Sequence, residues 1–406
     1  MSKKTLHVPD APFRPGEKPD FSNLELPKAG DAKKPKIMVE PSEIRDLAFS
    51  LVRVLDDKHE AVGPWNPKLD ASVLKEGLRH MCLLRIFDDR MLTMQRQGKL
   101  SFYMKSLGEE AVAIAQGMAL RSDDILFPSY RQPGLQFVRG RDIVDMICHC
   151  ITNVKDNVKG RQMPVHYSWK EGNFVSISSP VGTQFPQAVG CAMASAYKGE
   201  DNVSISWVGD GTAAEGDFHY ALNFASVYKA PVLLNVVNNQ WAISTHKNIS
   251  SGGSTFAARG IAYDVPSIRV DGNDFLALYS VTSWAAERAR KGGGPTFIEV
   301  FTYRGEAHST SDDPTRYRPK DEWKSWPLGD PIERLKAHLI GLEAWSEKEQ
   351  NKLEKELDAL VIKSYKEAEK HGTLSEGPWA SEDTLFEDVY KKPPRHLRKQ
   401  RQEFGF

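Results

Sequence analysis

Val203-Ser204-Ile205-Ser206-Trp207-Val208-Gly209-Asp210-Gly211, followed by Pro231-Val232-Leu233-Leu234-Asn235-Val236-Val237-Asn238-Asn239, is the stretch whose reading decides the fold. The first run alternates as a strand does. The second is nearly continuous in apolar residues, as expected of a strand buried on both faces. Between them, Phe218, Ala221, Leu222 and Ala225 recur at helical spacing and predict a helix over 212–230. The unit reads strand, helix, strand. Asp210 and Asn239 then both stand just past strand carboxyl ends, where open parallel sheets bind ligands.

The chemistry of that pair suits a metal-bound diphosphate. Asp210 offers a carboxylate oxygen, Asn239 an amide oxygen, and the turn after Asn239 a backbone carbonyl, that of Trp241. Three protein oxygens leave positions on an octahedral Mg²⁺ for diphosphate oxygens and water. Gly209 and Gly211 let the backbone come close to the ligand, and the following helix start faces the anion. Either half alone reads as a strand-to-helix turn. In this order, and bracketing one βαβ unit, the two halves point to a binding site.

Gly209-Asp210-Gly211, 26 further residues, then Asn238-Asn239 resembles the thiamine diphosphate motif. Several other segments resemble the α subunit of branched-chain 2-oxo acid dehydrogenase, the decarboxylating first component of a large complex. They are Ser101-Phe102-Tyr103-Met104, Tyr130-Arg131, Gly160-Arg161-Gln162-Met163-Pro164-Val165-His166-Tyr167, the run from Ile177 to Gly190, and His308-Ser309-Thr310-Ser311-Asp312-Asp313. The resemblance runs from about Phe49 to Ala344. Pyruvate-type α subunits are worded differently where Met163 to Tyr167 stands, so the branched-chain type is favoured. A pyruvate or acetoin dehydrogenase α subunit is the alternative.

The resemblance implies site roles. Asp210, Asn239 and the Trp241 carbonyl would hold Mg²⁺. Tyr130, Arg131, Gly209, Gly211, Thr212, Ala213 and Arg304 would contact the cofactor; a guanidinium binds phosphate oxygens bidentately. The family often has Arg just before the Asn pair. Here that place is Val237, which shifts weight to Arg131 and Arg304. Ser179 and Val181 would lie near the pyrimidine ring and the substrate. Ser178, Pro180, Thr183 and Gln184 would hold a monovalent cation, usually K⁺; read from the residues alone, 178–184 is a turn before a helix. His308 would sit over the thiazolium and stabilise charge as the intermediate forms or is passed on, work suited to imidazole near neutral pH. Ser309 matches a serine phosphorylated in mitochondrial relatives. Phe102, Tyr103 and Tyr130 are candidates for an apolar wall around an aliphatic side chain.

Only one such metal motif and one sheet's worth of strands occur in the chain. The Glu that activates the cofactor's pyrimidine is therefore expected from a second polypeptide, a β subunit, in an α2β2 heterotetramer. The implied acyl acceptor is a lipoyl domain of the complex's acyltransferase core. A binding or regulatory paralogue would not need every metal-ligand position filled, as all are here.

With 406 residues and 54 basic against 54 acidic side chains, the chain carries no net charge. That balance gives no basic face for nucleic acid. Cys82, Cys148, Cys150 and Cys191 form no paired zinc spacing, and Cys148-His149-Cys150 alone is weak. Reduced thiols in a reducing compartment are expected. No run approaches a transmembrane length, and the start lacks the apolar core of a signal peptide. The expectation is a cytoplasmic protein.

The fold expected is α/β, a thiamine diphosphate-binding fold with a mostly parallel, helix-flanked sheet. Residues 1–42, rich in Pro and Lys, form an extended arm. Residues 43–344 form the cofactor-binding domain, and 345–406 form helices and a tail on a partner subunit. Helices are predicted over 42–55, 72–97 and 109–120. Strands are predicted at 125–127, 203–208, 231–237, 267–270 and 296–302. Residues 305–330 read as a long polar loop of the kind that carries function.

Overall fold

The computed structural model describes residues 6–10 and 12–406; residues 1–5 and 11 of the expected arm lie outside the described residues. The sheet has five parallel strands: β1 (Ile125–Phe127), β2 (Ser204–Gly209), β3 (Val232–Asn238), β4 (Ser267–Asp271) and β5 (Thr296–Phe301). Their order across the sheet is β1-β2-β3-β5-β4. All five predicted strands are present. Every residue of β3 is buried, as its apolar run requires. Its one mid-strand polar side chain, Asn235, is satisfied: Nδ2 donates to the Ser206 carbonyl at 3.0 Å, and Oδ1 accepts from Gln116 Nε2 at 2.8 Å. Burying an amide without such partners costs about 1–3 kcal/mol.

Helices cover both faces. The long helix α1 (Ala71–Arg96) and α2 (Glu110–Met118) precede the sheet. Next come α3 (Ile143–Cys150), α4 (Gln184–Lys198), α5 (Gly216–Val227), α6 (Phe275–Arg290), α7 (Pro331–Gly341) and α8 (Glu347–Glu369). Asp274 caps α6 through Ala277 N, and its other oxygen accepts Val54 N at 2.8 Å and Leu55 N at 2.6 Å. Ser346 caps α8: its Oγ accepts from Glu349 N and donates to Glu349 Oε2. Leu353, Leu357 and Val361 of α8 join the same core cluster as Leu78 and Met81 of α1.

Two local readings need correction. Residues 42–55 are not one helix. A 3-10 turn spans Pro41–Ala48, Ile44 departs from helical angles, and the chain then runs extended. Val52 pairs with Val270 on the edge strand β4, exchanging hydrogen bonds with Arg269 and Asp271. The β-branched Val52 and Val54 favour that extended path. The helix expected over 212–230 is also divided, into a 3-10 turn Gly211–Ala214 and then α5, with Glu215 extended between them. Residues 305–330 are a loop, as read from the sequence. They contain 3-10 turns Pro314–Arg316 and Glu322–Ser325, and Trp326 and Leu328 pack with Tyr303.

The described part of the arm lies along the body. The carbonyls of Pro27, Lys33 and Pro35 accept from Arg53, Trp65 and Trp284. No helix among the described residues is long and apolar enough to cross a membrane.

Candidate active site

A cavity of about 470 Å³ opens at the carboxyl ends of β2 and β3. The sequence-predicted Phe102, Tyr130, Arg131, Ser179, Val181, Gly209, Asp210, Gly211, Thr212, Asn239, Trp241 and His308 all line it. β2 ends at Gly209 and β3 at Asn238, so Asp210 and Asn239 are the first residues past adjacent strands. Gly211 has a specific reason to be glycine: a Cβ there would stand 2.5 Å from the Ala242 Cβ.

Asp210 is buried, and its Oδ2 has no hydrogen-bond partner among the described residues. Its Oδ1 accepts from Gly211 N at 2.8 Å. Burial pushes its carboxyl up to about 7, opposed by the Gly211 N–H and Arg304. An orphaned, dry carboxylate oxygen at a strand end is what a resident cation would satisfy. Asn239 turns its Nδ2 to Glu109 Oε1 at 2.7 Å, which fixes the amide and leaves Oδ1 as the oxygen it can present. That oxygen also lies 3.3 Å from Trp241 N. The Trp241 carbonyl accepts Arg304 Nη1 at 3.0 Å; a carbonyl has a second lone pair to offer. Asn238 is structural, donating to the buried Glu299 at 2.7 Å.

The two arginines hold protein groups. Arg131 Nη1 donates to the Lys105 carbonyl at 2.6 Å. Its Nη2 donates to the His308 carbonyl at 2.6 Å and lies 3.2 Å from His308 Nδ1. Arg304 does not line the cavity. It bonds the carbonyls of Trp241 and Ile243 and the Tyr317 hydroxyl, and burial and Arg131 hold its guanidinium down to about 10.

His308 is fixed from several sides. Its N–H donates to Asp312 Oδ2 at 2.7 Å, and its ring meets Tyr130 edge to face at 5.8 Å. Burial, then the charges of Arg131 and Arg304, hold its imidazole down to about 3. It is therefore neutral at physiological pH. Arginine only donates, so Nδ1 accepts and Nε2 carries the proton. His308 is a neutral N–H donor.

Other predicted residues lie elsewhere. Tyr103 does not line this cavity: its hydroxyl donates to the buried Asp88 at 2.7 Å, behind the 101–107 segment. Ser309 and Asp312 line a smaller neighbouring cavity with Lys105. Ala213 is buried one residue beyond the lining. Ser178 Oγ and Thr183 Oγ1 both donate to the Pro180 carbonyl, and the buried Gln184 Oε1 beside them has no partner among the described residues.

Sequence reasoning missed Glu109, Met104, Met163 and His166. Glu109 is fully buried between Asn239 and Arg131, the latter at 3.8 Å. Glu109 and Glu110, adjacent carboxylates at the start of the Ala-rich α2, were its signal. Met104, Met163 and His166 line the cavity within segments already singled out.

The Dehydrogenase E1 component family matches residues 78–376, and the 2-oxoisovalerate dehydrogenase E1 alpha subunit N-terminal family matches residues 3–42. The chain is 57% identical to the 2-oxoisovalerate dehydrogenase subunit alpha of Pseudomonas aeruginosa, over 98% of both chains. It is 38% identical to the mitochondrial subunit alpha of Homo sapiens, over 90% of this chain and 81% of that one. The Caenorhabditis elegans subunit is 41% identical over 83% and 77%. The chain therefore belongs to the dehydrogenase E1 component family, among the α subunits of bacterial, thiamine diphosphate-dependent branched-chain 2-oxo acid dehydrogenases, which decarboxylate branched-chain 2-oxo acids together with a β subunit.

Proposed function

We propose that the cavity at the ends of β2 and β3 is where this chain holds the diphosphate end of thiamine diphosphate through Mg²⁺. The observation that carries this reading is the buried, unpartnered Oδ2 of Asp210 beside the oriented Asn239. Asp210, Asn239 and the free lone pair of the Trp241 carbonyl are the metal ligands. Among the described residues no three His, Cys, Asp or Glu side chains converge, so a single charged ligand with neutral oxygens and diphosphate fits Mg²⁺ better than a transition metal. Ser178, the Pro180 carbonyl, Thr183 and Gln184 are the ligands for K⁺. The unpartnered Gln184 oxygen supports that reading.

Thiamine diphosphate, when bound, supplies the carbon nucleophile and the electron sink. The chain's own residues do the rest. His308 aims its Nε2–H at the substrate's keto oxygen and stabilises negative charge as it develops there. Arg131 holds that imidazole in one tautomer, and Asp312 fixes the backbone that carries it. Phe102, Tyr130 and Met163 enclose the aliphatic side chain and keep water out. Ser179 and Val181 border the same space near the pyrimidine.

The assembly is α2β2. Its β subunit supplies the pyrimidine-activating Glu, and a lipoyl domain of the acyltransferase core takes the acyl group. Tyr220, Phe224 and Val227 of α5 are 50–68% exposed, and Tyr197 of α4 is 94% exposed. An apolar patch of this kind, on the helices that start at the cavity, suits a protein partner. The exposed Trp379 and Tyr390 suit docking of the C-terminal tail in the same way. The location is cytoplasmic, in keeping with four free cysteines.

The test is to purify the chain with its β subunit and follow decarboxylation of 3-methyl-2-oxobutanoate against added Mg²⁺ and thiamine diphosphate. Activity dependent on both supports the reading. Turnover of pyruvate or acetoin alone, under the same conditions, overturns the substrate assignment.

A further inference from the structure

The cavity contains a second imidazole to which the preceding argument gives no work. His166 is buried and lines the cavity beside Tyr130, its ring centre 6.1 Å from that of Tyr130. Tyr130 thus neighbours both His166 and His308. Among the described residues, the partner of the His166 ring is the Pro164 carbonyl, 3.3 Å from Nδ1. A carbonyl only accepts, so Nδ1 carries the proton and Nε2 keeps a lone pair. Burial lowers the affinity of this imidazole for a second proton, so the ring stands neutral. The two cavity histidines therefore hold opposite tautomers: His308 offers a proton at Nε2, and His166 offers a lone pair at Nε2.

The backbone that aims His166 is unusual. Val165 is fully buried with φ at +65°, a conformation that β-branched residues rarely adopt. Such strain persists only where the surroundings over-determine it, and it collects at functional sites. Here the surroundings do so. His166 N donates to the Met163 carbonyl at 3.0 Å. His149 Nε2 lies 3.1 Å from that same carbonyl, while His149 Nδ1 faces Asp156 at 3.1 Å. Asp156 also accepts Val158 N and Gly160 N. A buried Asp-His pair thus ties down the loop whose end presents Met163 and His166.

We propose that His166 is a catalytic residue of the acyl-transfer step, its Nε2 accepting the proton of the acyl oxygen and passing it to sulfur. The proposal rests on the reading that this chain acylates a lipoyl disulfide. During decarboxylation the substrate's keto oxygen gains a proton. When the acyl group moves on, the electron pair at the acyl carbon forms a C–S bond and the S–S bond breaks. The O–H bond then breaks as C=O re-forms, the bond from the acyl carbon to the cofactor breaks and leaves its electron pair on the cofactor, and the proton goes to His166 Nε2. The departing thiolate takes that proton from His166, which returns neutral. The disulfide is reduced by two electrons, the acyl carbon is oxidised by two, and one proton has moved from oxygen to sulfur.

His166→Asn tests this in the assembled enzyme with cofactor bound, because its amide can keep the Pro164 hydrogen bond while removing Nε2. Two rates are read separately: decarboxylation of 3-methyl-2-oxobutanoate with an artificial electron acceptor, and acylation of a lipoyl domain. Acylation is expected to fall about 30-fold further than decarboxylation does. Cofactor affinity, read by tryptophan fluorescence, and melting temperature should not move. A parallel fall in both rates, or acylation left intact, overturns the proposal. If the Asn variant fails to assemble, His166→Gln, with an amide reaching the Nε2 position, is held to the same split. Failure of the wild-type enzyme to decarboxylate branched-chain 2-oxo acids would instead strike the underlying reading.

Discussion

The floor of the cavity and its walls are built on different principles. The floor is Asp210 and Asn239, each the first residue after a buried parallel strand and held there by a ladder of backbone hydrogen bonds. The walls are loops, and no ladder holds them. His308 is placed by Asp312 and Arg131, and His166 by Met163, whose carbonyl also meets His149. The difference teaches where each kind of precision comes from. A strand end is fixed by many weak, repeated interactions, so the residue on it can be spent on chemistry. A loop is fixed by a few buried polar contacts, and each costs heavily to break because its partner is left unsatisfied.

The largest break in the comparison should come at the floor. Asp210→Asn removes the only charged metal ligand and should weaken Mg²⁺-dependent cofactor binding on the order of 1000-fold, measured by calorimetric titration of the assembled enzyme. The same change should leave the cofactor-free protein no less stable. The Asp210 carboxyl is pushed up to about 7, above its unfolded value, by burial. The folded state therefore retains a proton that the unfolded state has lost, and wild-type stability falls as pH rises from about 4 to about 7. Asp210→Asn escapes that loss. Its melting point without cofactor should exceed that of wild type at pH 8, with the gap closing toward pH 5. A variant that melts lower at both pH values refutes the burden assigned to this carboxylate.

A wall residue should alter rate more than binding. His308→Asn should lower turnover about 100-fold with little change in cofactor affinity. Burial and two arginines hold the His308 imidazole down to about 3, so it does not titrate between pH 5 and 8. The acid limb of the rate profile should then sit at the same pH in wild type and variant. A limb near 6.5 that vanishes in the variant contradicts the neutral donor.

Glu109→Gln sharpens the contrast further, since Glu109 serves the floor through Asn239 and the wall through Arg131. Cofactor affinity should drop about 10-fold, with kcat at saturation changed much less. Phe102→Ala should have the smallest effect, cutting the preference for 3-methyl-2-oxobutanoate over pyruvate about 10-fold in kcat/KM while leaving cofactor binding unchanged.

The same division governs what could be read from the sequence. All five strands were legible because a parallel sheet covered on both faces demands apolar runs, and 203–208 and 231–237 supply them. Asp210 and Asn239 followed from where those runs stop. The extended course of 49–55 was not legible, because its pairing partner, β4, lies far along the chain. The roles of His308 and Arg131 came from resemblance to a family. Glu109 went unread because buried carboxylates owe their place to Asn239 and Arg131, contacts with no local pattern. His166 lay inside a quoted segment, yet only the tautomers imposed by Pro164 and Arg131 separate its chemistry from that of His308.

The loop leading to Met163 and His166 also touches the end of the chain. The Pro378 carbonyl accepts Val154 N, and Lys159 and Arg161 pair with Glu387 and Asp388. The two carboxylates of these pairs are about half exposed. Dissolved ions weaken such pairs, whereas the strand ends beneath Asp210 have no surface charge to screen. Ionic strength is thus a dial on one side of the cavity only, loosening the brace behind the catalytic wall while the metal-binding floor stays as it was.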